Sequence, residues 1–340
     1  MPNRSRTVPF TLSGRWSYRL RSFFNLYWST LYISGRRLLR GPRFPNWSWS
    51  LETSTHFMKT QAAIAFDLPN MADGREYEDA LIFGSAATSQ VNVEAVTQPI
   101  TGRWYQPKTG AQPVTVLYLH GGGYAYYSKS HHILIALITL ATQAKTFAPD
   151  YRLIPEHPYP AQLDDALAAY HWLIDSGVDP KRLVIMGDSA GGNLTLALLQ
   201  ALRAARSALP ALAVCLAPWT DLTNSGASMT TNLDHDWLAP RMAERWAQWF
   251  CRNITPDDPL VSPVYADLSG LPPIYIQVGS AEILYDMNRA LADRAKQQGA
   301  AVTLDVWPNM THDFQAFGDL IPESQDALRR IGEVVRAHVA

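Results

Sequence analysis

A serine between glycines is the first candidate for chemistry in this chain. Ser189 is the central residue of Gly187-Asp188-Ser189-Ala190-Gly191, after an apolar run over 182–186 and before good helix formers over 193–202. A strand-to-helix turn of this kind is a nucleophile elbow, so tight that only glycine fits two residues before and after the serine. The pattern predicts a serine hydroxyl lifted clear of a sheet beside a helix N-terminus. A plain structural turn is the alternative.

A second glycine-rich turn follows a strand predicted over 114–119. Its sequence is His120-Gly121-Gly122-Gly123, and three glycines leave backbone N–H groups bare and able to approach a ligand. Fixed N–H donors of this kind form an oxyanion hole, which stabilises negative charge as it develops on a reacting oxygen. A flexible turn is the alternative. We expect His120 to fix the loop as a structural side chain.

Two further candidates follow later predicted strands. Glu282 comes after the strand at 273–278, and His312 comes after the strand at 302–307. The chain order serine, acid, histidine is the order in which one hydrolase architecture carries its reactive residues. Asp286 lies one helical turn after Glu282 and is the alternative acid, although it is also placed to cap the next helix. We expect Glu282 to be the acid.

The elements that must position these residues alternate between strand and helix. Two antiparallel strands are predicted over 91–96 and 100–105, before six strands separated by helices. Such alternation predicts an α/β fold with a mostly parallel eight-stranded sheet and helices on both faces. Ligands bind such sheets at the carboxyl ends of the strands. The six later strands are predicted over 114–119, 146–151, 182–186, 211–217, 273–278 and 302–307, and the helices over 132–144, 163–174, 193–202, 240–252, 287–298 and 324–338.

Composition excludes several classes of protein. The 340 residues are 47% hydrophobic and 17% charged with a net charge of −1, which argues against nucleic acid as a partner. Cys215 lies in an apolar run and is expected to be an inert buried thiol, and no cysteine or histidine spacing suggests a metal site. No cofactor is expected. Because no signal peptide and no apolar run of membrane-spanning length is recognisable, the expected location is cytoplasmic.

The N-terminal segment differs from the rest of the chain. Residues 1–51 contain nine arginines and no acidic residue, and the stretch at 23–33 is dense in aromatic side chains. One interpretation is a cap helix whose aromatic face covers the body of the protein. The other is a basic amphipathic segment that lies on an anionic membrane surface, peripheral to the bilayer. The two interpretations are compatible, and a homodimer is a further hypothesis.

Four motifs together resemble one known family. They are the run 120–123, Tyr-Arg-Leu-Ile-Pro-Glu-His-Pro-Tyr-Pro-Ala at 151–161, the elbow at 187–193, and Pro-Trp-Thr-Asp-Leu at 218–222. In this order they resemble the hormone-sensitive lipase-like (family IV) carboxylesterases of the α/β-hydrolase fold. The resemblance covers about residues 90–340. It implies Ser189 as nucleophile, His312 as base, and the amides of Gly122, Gly123 and Ala190 as the oxyanion hole.

The sequence departs from this family at the acid. Where the family commonly has Asp-Pro-Leu, this chain has Glu282-Ile283-Leu284, so it resembles the members that use glutamate. The resemblance also implies a helical cap over an acyl pocket. It divides the chain into an N-terminal cap segment (1–70) and a catalytic domain (71–340), with a second cap insertion at about 219–262.

The implied activity is hydrolysis of short- to medium-chain acyl esters of small molecules through a Ser-His-Glu triad and an acyl-enzyme. An amidase or formamidase with the same residues is the alternative, and a binding protein on an inactive scaffold is a third. Aromatic and apolar side chains near the strand ends are candidates to line the pocket, with core packing as the equal alternative for each. They are Tyr124, Tyr126, Trp219, Trp237, Leu284 and Phe314.

Overall fold

The computed structural model describes residues 10–339. Its main sheet has eight strands in the order β10-β9-β8-β7-β5-β6-β4-β3, and a separate two-stranded sheet pairs β1 with β2. The strands are β1 (Phe10–Leu12), β2 (Leu81–Phe83), β3 (Val91–Val96), β4 (Gly102–Pro107), β5 (Thr115–Leu119), β6 (Lys145–Pro149), β7 (Leu183–Asp188), β8 (Leu212–Leu216), β9 (Ile274–Gly279) and β10 (Val302–Trp307).

Six strands of the main sheet run parallel, and the two at one edge do not. β5 to β10 pair in parallel with their neighbours, whereas β4 pairs antiparallel with both β6 and β3. The predicted mostly parallel α/β sheet is therefore confirmed. Because β5, β7, β8, β9 and β10 are adjacent and parallel, the loops that follow them meet along one edge of the sheet.

Helices cover both faces of this sheet. They are α1 (Trp16–Arg40), α2 (Trp49–Phe66), α3 (Met71–Glu78), α4 (Lys129–Thr142), α5 (Ala161–Asp175), α6 (Ser189–Ala204), α7 (Ser228–Thr231), α8 (Pro240–Phe250), α9 (Tyr285–Gln297) and α10 (Pro322–Val339), with short 3-10 helices at Ala86–Gln90, Pro180–Arg182, Pro263–Tyr265 and Phe314–Leu320.

Alternating strand residues supply the hydrophobic cores on the two faces of the sheet. Leu117 and Leu119 of β5 face the core shared with α5, α6 and α9, whereas Val116 and Tyr118 face the core shared with α4 and α10. This alternation is the period of two that a strand imposes on its side chains. α4 begins three residues earlier than predicted, because Ser128 and His131 form a capping box at its start.

The elbow is a tight turn at the edge of the sheet where the parallel strands end. Ser189 has φ 51°, and β7 passes straight into α6 at this residue. A Cβ on Gly191 would overlap the carbonyl oxygens of Leu119 and His120 at the end of β5. Glycine is therefore required where α6 crosses the neighbouring strand end.

We expect Gly191→Ala to destabilise the protein by about 2 kcal/mol or more, because the added methyl group must push back rigid backbone. Urea unfolding followed by circular dichroism measures this loss. Gly35→Ala is the matched control, since Gly35 lies inside α1 and no atom of the described residues beyond the helix's own nearby backbone lies within 4 Å of the added carbon. The control should be neutral or gain up to about 1 kcal/mol. Equal behaviour of the two variants would contradict the packing argument.

Candidate active site

The nucleophile candidate and the glycine loop are joined by a buried carboxylate. Asp188 Oδ1 accepts hydrogen bonds from the amide of Gly121 (3.0 Å) and from the hydroxyl of Tyr118 (2.7 Å). Asp188 is 2% exposed, so these bonds compensate for much of the cost of burying its charge. The elbow and the loop at 120–123 are thus held in one fixed arrangement.

Ser189, His312 and Glu282 form a continuous hydrogen-bonded line. His312 Nε2 lies 2.9 Å from Ser189 Oγ, and His312 Nδ1 lies 2.9 Å from Glu282 Oε2. The second oxygen of Glu282 accepts from the amide of Gly279 at 2.5 Å. All three side chains are buried. A carboxylate on Nδ1 fixes the tautomer in which Nε2 can take the serine proton, which is the arrangement that activates a serine for attack.

The alternative acid lies elsewhere. Asp286 Oδ2 accepts from the amide of Ser228 at 2.8 Å, and the amide of Asp286 donates to Ser228 Oγ at 3.0 Å. These bonds tie the start of α9 to α7 in the insertion. The geometry therefore places Glu282, and not Asp286, on the ring of His312.

Asp236 is a buried residue that sequence reasoning did not single out. Its Oδ1 accepts from the amide of His312 (3.0 Å) and the hydroxyl of Thr311 (2.6 Å), and its Oδ2 accepts from the amide of Ile283 (2.8 Å). One carboxylate from the insertion thus binds both the loop of Glu282 and the loop of His312. No sequence signal marked it, because it follows no predicted strand and matches no motif.

Two of the predicted oxyanion donors, Gly122 and Gly123, line the same cavity as Ser189, and the third, Ala190, follows Ser189 in α6. Gly122 (φ 94°) and Gly123 (φ 61°) have positive φ angles, and their amides donate to no backbone acceptor within residues 10–339. Ala190 is the second residue of α6, where helix amides have no intrahelical partner. A Cβ on Gly123 would overlap the ring of Trp246 from α8. Glycine is therefore required at 123, and the amides of Gly122 and Gly123 are left without a backbone acceptor in the described part of the chain.

His120 is buried and serves the glycine loop. Its ring stacks between Tyr127 and Tyr151, at centroid distances of 3.8 and 4.1 Å. Burial lowers the pKa of His120 well below its ordinary value, so the ring is neutral. Its Nδ1 lies 2.8 Å from the carbonyl oxygen of Gly121. The contacts agree with the expected loop-fixing role.

A cavity with about 1310 Å³ of empty space, part of it open to solvent, lies above the serine. Ser189, His312, Gly122 and Gly123 form part of its wall. Of the predicted pocket residues, Tyr126 and Trp237 also line it, and Trp237 Nε1 donates to the carbonyl of His312 at 2.7 Å. The rest of the wall comes from several elements. α2 supplies Phe57, Met58, Gln61 and Ala62, the insertion supplies Leu238, Met242 and Trp246, and further residues come from β2, the start of α4 and the 3-10 helix at Phe314–Leu320.

The other four predicted pocket residues lie in the core instead. Tyr124 stacks on Phe250 and donates its hydroxyl to Asn193 Oδ1 at 2.6 Å. Trp219 donates its indole N–H to Asn224, Phe314 packs against the Trp307 ring, and Leu284 is 1% exposed in the main core. Because each of these side chains has its partners within the protein, core packing is the interpretation that applies to them.

Asp313 is the second residue that sequence reasoning missed. It has φ 49°, is only 9% exposed, and lines the cavity with Oδ2 3.2 Å from His312 Nε2. Its Oδ1 has no hydrogen-bond partner among the described residues. Its place directly after His312 was the only available signal. A carboxyl group therefore stands beside the nitrogen that would exchange protons with Ser189.

The acidic neighbours of His312 set its proton affinity. Burial by itself would lower the pKa of His312, but the nearby carboxyl groups of Asp313, Glu282 and Asp236 outweigh burial and raise that pKa to about 10. Burial also raises the pKa of Asp313 well above its ordinary value. The two groups therefore titrate as a coupled pair.

Nothing in the described part of the chain gathers three or more His, Cys, Asp or Glu side chains in a way that could hold a metal ion. Burial raises the pKa of the Cys215 thiol, so this thiol is poorly reactive.

Comparison with known proteins identifies a family and several relatives to which this chain is similar. Residues 116–316 match the family described as the alpha/beta hydrolase fold. An acetyl-hydrolase of Streptomyces hygroscopicus is 43% identical over 69% of this chain and 79% of its own length. An ethyl acetate hydrolase of Pseudomonas putida is 33% identical over 66% of this chain and 73% of its own. A crystal structure of an esterase from the bacterial hormone-sensitive lipase family has a TM-score of 0.73 at 32% identity and covers 96% of this chain and 100% of its own.

We expect Asp313→Asn to move the low-pH limit of Ser189 reactivity to lower pH, by about one unit. The amide cannot stabilise the imidazolium, so the pKa of His312 falls and the neutral base persists at lower pH. Glu282 and Asp236 still face His312 in the variant, and Asp188 still faces position 313. The measurement is the rate of Ser189 modification by a sulfonyl fluoride against pH, followed by intact-protein mass spectrometry.

Asp286→Asn is the matched control, since it removes a carboxylate from the same region without removing one that faces His312. Its pH profile should match that of the unmodified protein. An Asp313→Asn profile that stays in place or moves to higher pH would refute the proton-affinity argument.

Proposed function

We propose that this chain, which belongs to the hormone-sensitive lipase-like carboxylesterases of the α/β-hydrolase fold, cleaves its esters by nucleophilic attack of Ser189. The chain is a carboxylic ester hydrolase. The observation that carries the proposed mechanism is the line of hydrogen bonds from Ser189 through His312 to Glu282 at the wall of the cavity.

The first half of the reaction forms an acyl-enzyme. Ser189 Oγ attacks the ester carbonyl carbon as His312 Nε2 takes its proton, and the carbonyl oxygen becomes an oxyanion. The bond to the alcohol then breaks, and His312 gives its proton to the departing oxygen. Glu282 holds the ring in place and stabilises the imidazolium formed between these steps.

The second half returns the free serine. Water attacks the acyl carbon and gives a proton to His312 Nε2, and the bond to Ser189 Oγ breaks as His312 returns that proton to the serine. The amides of Gly122, Gly123 and Ala190 hold the oxyanion in both halves, each contributing about 3 kcal/mol. The free amides and positive φ angles of the loop support this assignment.

The substrate enters beneath two cap segments in this proposal. Residues 1–70 contribute the α2 wall of the cavity, and the insertion at 219–262 contributes Trp237, Leu238, Met242 and Trp246. Bulky aromatic side chains at the wall favour short to medium acyl chains. Small-molecule esters are therefore the proposed substrates. An amide is the competing substrate class, because the same line of hydrogen bonds can attack either carbonyl.

We expect Ser189→Ala to lose at least about a thousandfold in kcat on p-nitrophenyl acetate, because no nucleophile remains. Glu282→Gln should lose at least about a hundredfold, since the imidazolium loses its partner. Asp286→Asn is the matched control and should stay within about threefold of the unmodified enzyme, because its carboxylate binds α7 and not His312. A large loss in Asp286→Asn with little loss in Glu282→Gln would reverse the assignment.

The acyl chain length of the substrate and the type of bond cleaved, ester or amide, give a separate prediction. Across p-nitrophenyl esters from acetate to palmitate, kcat/KM should be highest between acetate and hexanoate and fall about tenfold or more at laurate, since the aromatic wall limits the acyl chain. A parallel series with p-nitroacetanilide compares the amide directly. A maximum at palmitate would contradict the chain-length proposal, and faster cleavage of the anilide than of the acetate ester would favour the amidase.

A further inference from the structure

Helix α1 buries mainly polar side chains and exposes large apolar ones, which is the reverse of the usual arrangement. The residues that it buries are Ser22, Ser29 and Ile33. Ser22 Oγ accepts from Gln61 Nε2 of α2 at 2.8 Å, and Ser29 Oγ lies 3.0 Å from the ring of His56. The contact between α1 and α2 is therefore largely polar, whereas a helix that simply covers a core buries its aliphatic and aromatic stripe.

Large apolar side chains cover the opposite side of α1. Nine of the sixteen most exposed large hydrophobic residues in the described chain lie on this helix, and Leu38 (88%), Leu39 (86%) and Trp28 (63%) are among the most exposed. At about 100° per residue, the nine fall within roughly half of the helix circumference. We call them the outer face: Trp16, Phe23, Phe24, Tyr27, Trp28, Leu31, Tyr32, Leu38 and Leu39.

Positive charge borders this outer face. Arg19 and Arg21 lie on opposite edges of it by the same helical spacing, and neither forms a salt bridge within residues 10–339. Arg21 instead lies over the ring of Tyr77. Residues 1–51 carry nine arginines and no carboxylate side chain, although Arg4 and Arg6 lie outside the described residues. Arg15, Arg36 and Arg37 of this segment pair with carboxylates of later segments, so the positive charge that borders the outer face comes from Arg19 and Arg21. An apolar strip edged by arginines complements a surface with anionic headgroups over an apolar interior.

No helix among the described residues has the length and apolar character needed to cross a membrane.

A second copy of the chain is a poorer partner for this face. Two outer faces related by a twofold axis would bring Arg19 and Arg21 of both copies to one interface, and like charges in contact oppose association. Charge complementarity therefore selects an anionic lipid surface over self-association.

We propose that α1 docks this protein onto anionic lipid surfaces, lying in the interface with its outer face among the headgroups and upper acyl chains. The length of 25 residues and the separation of apolar and basic edges are typical of interfacial helices. This docking is distinct from ester hydrolysis and does not depend on it. α1 packs against α2, and the described residues that line the cavity include several of α2 and none of α1, so the docked helix leaves the reaction site uncovered by its lipid-facing side.

The test is co-sedimentation of the full chain with vesicles of pure phosphatidylcholine and of phosphatidylcholine mixed with phosphatidylglycerol. We expect binding to the anionic vesicles, weaker binding in high salt, and at least about a tenfold weaker partition for Trp28→Glu and Leu39→Glu. Val93→Glu is the matched control, since Val93 is 53% exposed on β3, the edge strand of the main sheet, and does not belong to α1.

Activity on p-nitrophenyl acetate in solution and molar mass by light scattering are measured for every variant. Unchanged activity shows that the variants fold and separates this test from that of the catalytic proposal. Three results would overturn docking: no binding to anionic vesicles, equal binding by Trp28→Glu and Val93→Glu, or an oligomer that the α1 variants dissociate, which would assign the outer face to a second copy.

Discussion

The buried carboxylate of Asp236 is the constraint on which the site depends. A charge removed from water must have its lone pairs satisfied, and Asp236 meets this need with amides at 283 and 312 and with the hydroxyl of Thr311. These groups belong to loops that follow β9 and β10. The strands set the approximate positions of Glu282 and His312, and Asp236 fixes their loops to each other. Asp188 does the same for the elbow and the glycine loop.

Much of this arrangement could be predicted, because parallel strands place their carboxyl ends at one edge. The sequence order of Ser189, Glu282 and His312 and the glycines at 121–123 identify loops that the sheet must bring together. Asp236 could not be predicted, because it lies in a long insertion and the sequence pattern there does not show which strand ends the insertion contacts. Tyr124 and Tyr126 show the same limit: they are two residues apart, yet one turns into the core and the other faces the cavity.

The composition of the N-terminal segment indicates an aromatic, basic helix but does not show which side of that helix is buried. Its aromatic density was compatible with a face packed on the protein or a face turned outward. The serines of α1 decide this, because small polar side chains allow close approach of α2 and hydrogen-bond with Gln61 and His56. Cap and outer face are thus two sides of one helix. Only the pairing of α1 with α2 tells which side is buried.

The packing of Trp246 over Gly123 has a consequence for the way such enzymes diversify. The insertion supplies a wall of the cavity, the indole that closes over the glycine loop, and the carboxylate of Asp236 that binds the loops of Glu282 and His312. A chimera that receives a foreign insertion would change substrate range and reaction rate together. New specificities on this scaffold are therefore reached more readily by single replacements along the α2 wall, where no side chain also supports the reacting groups.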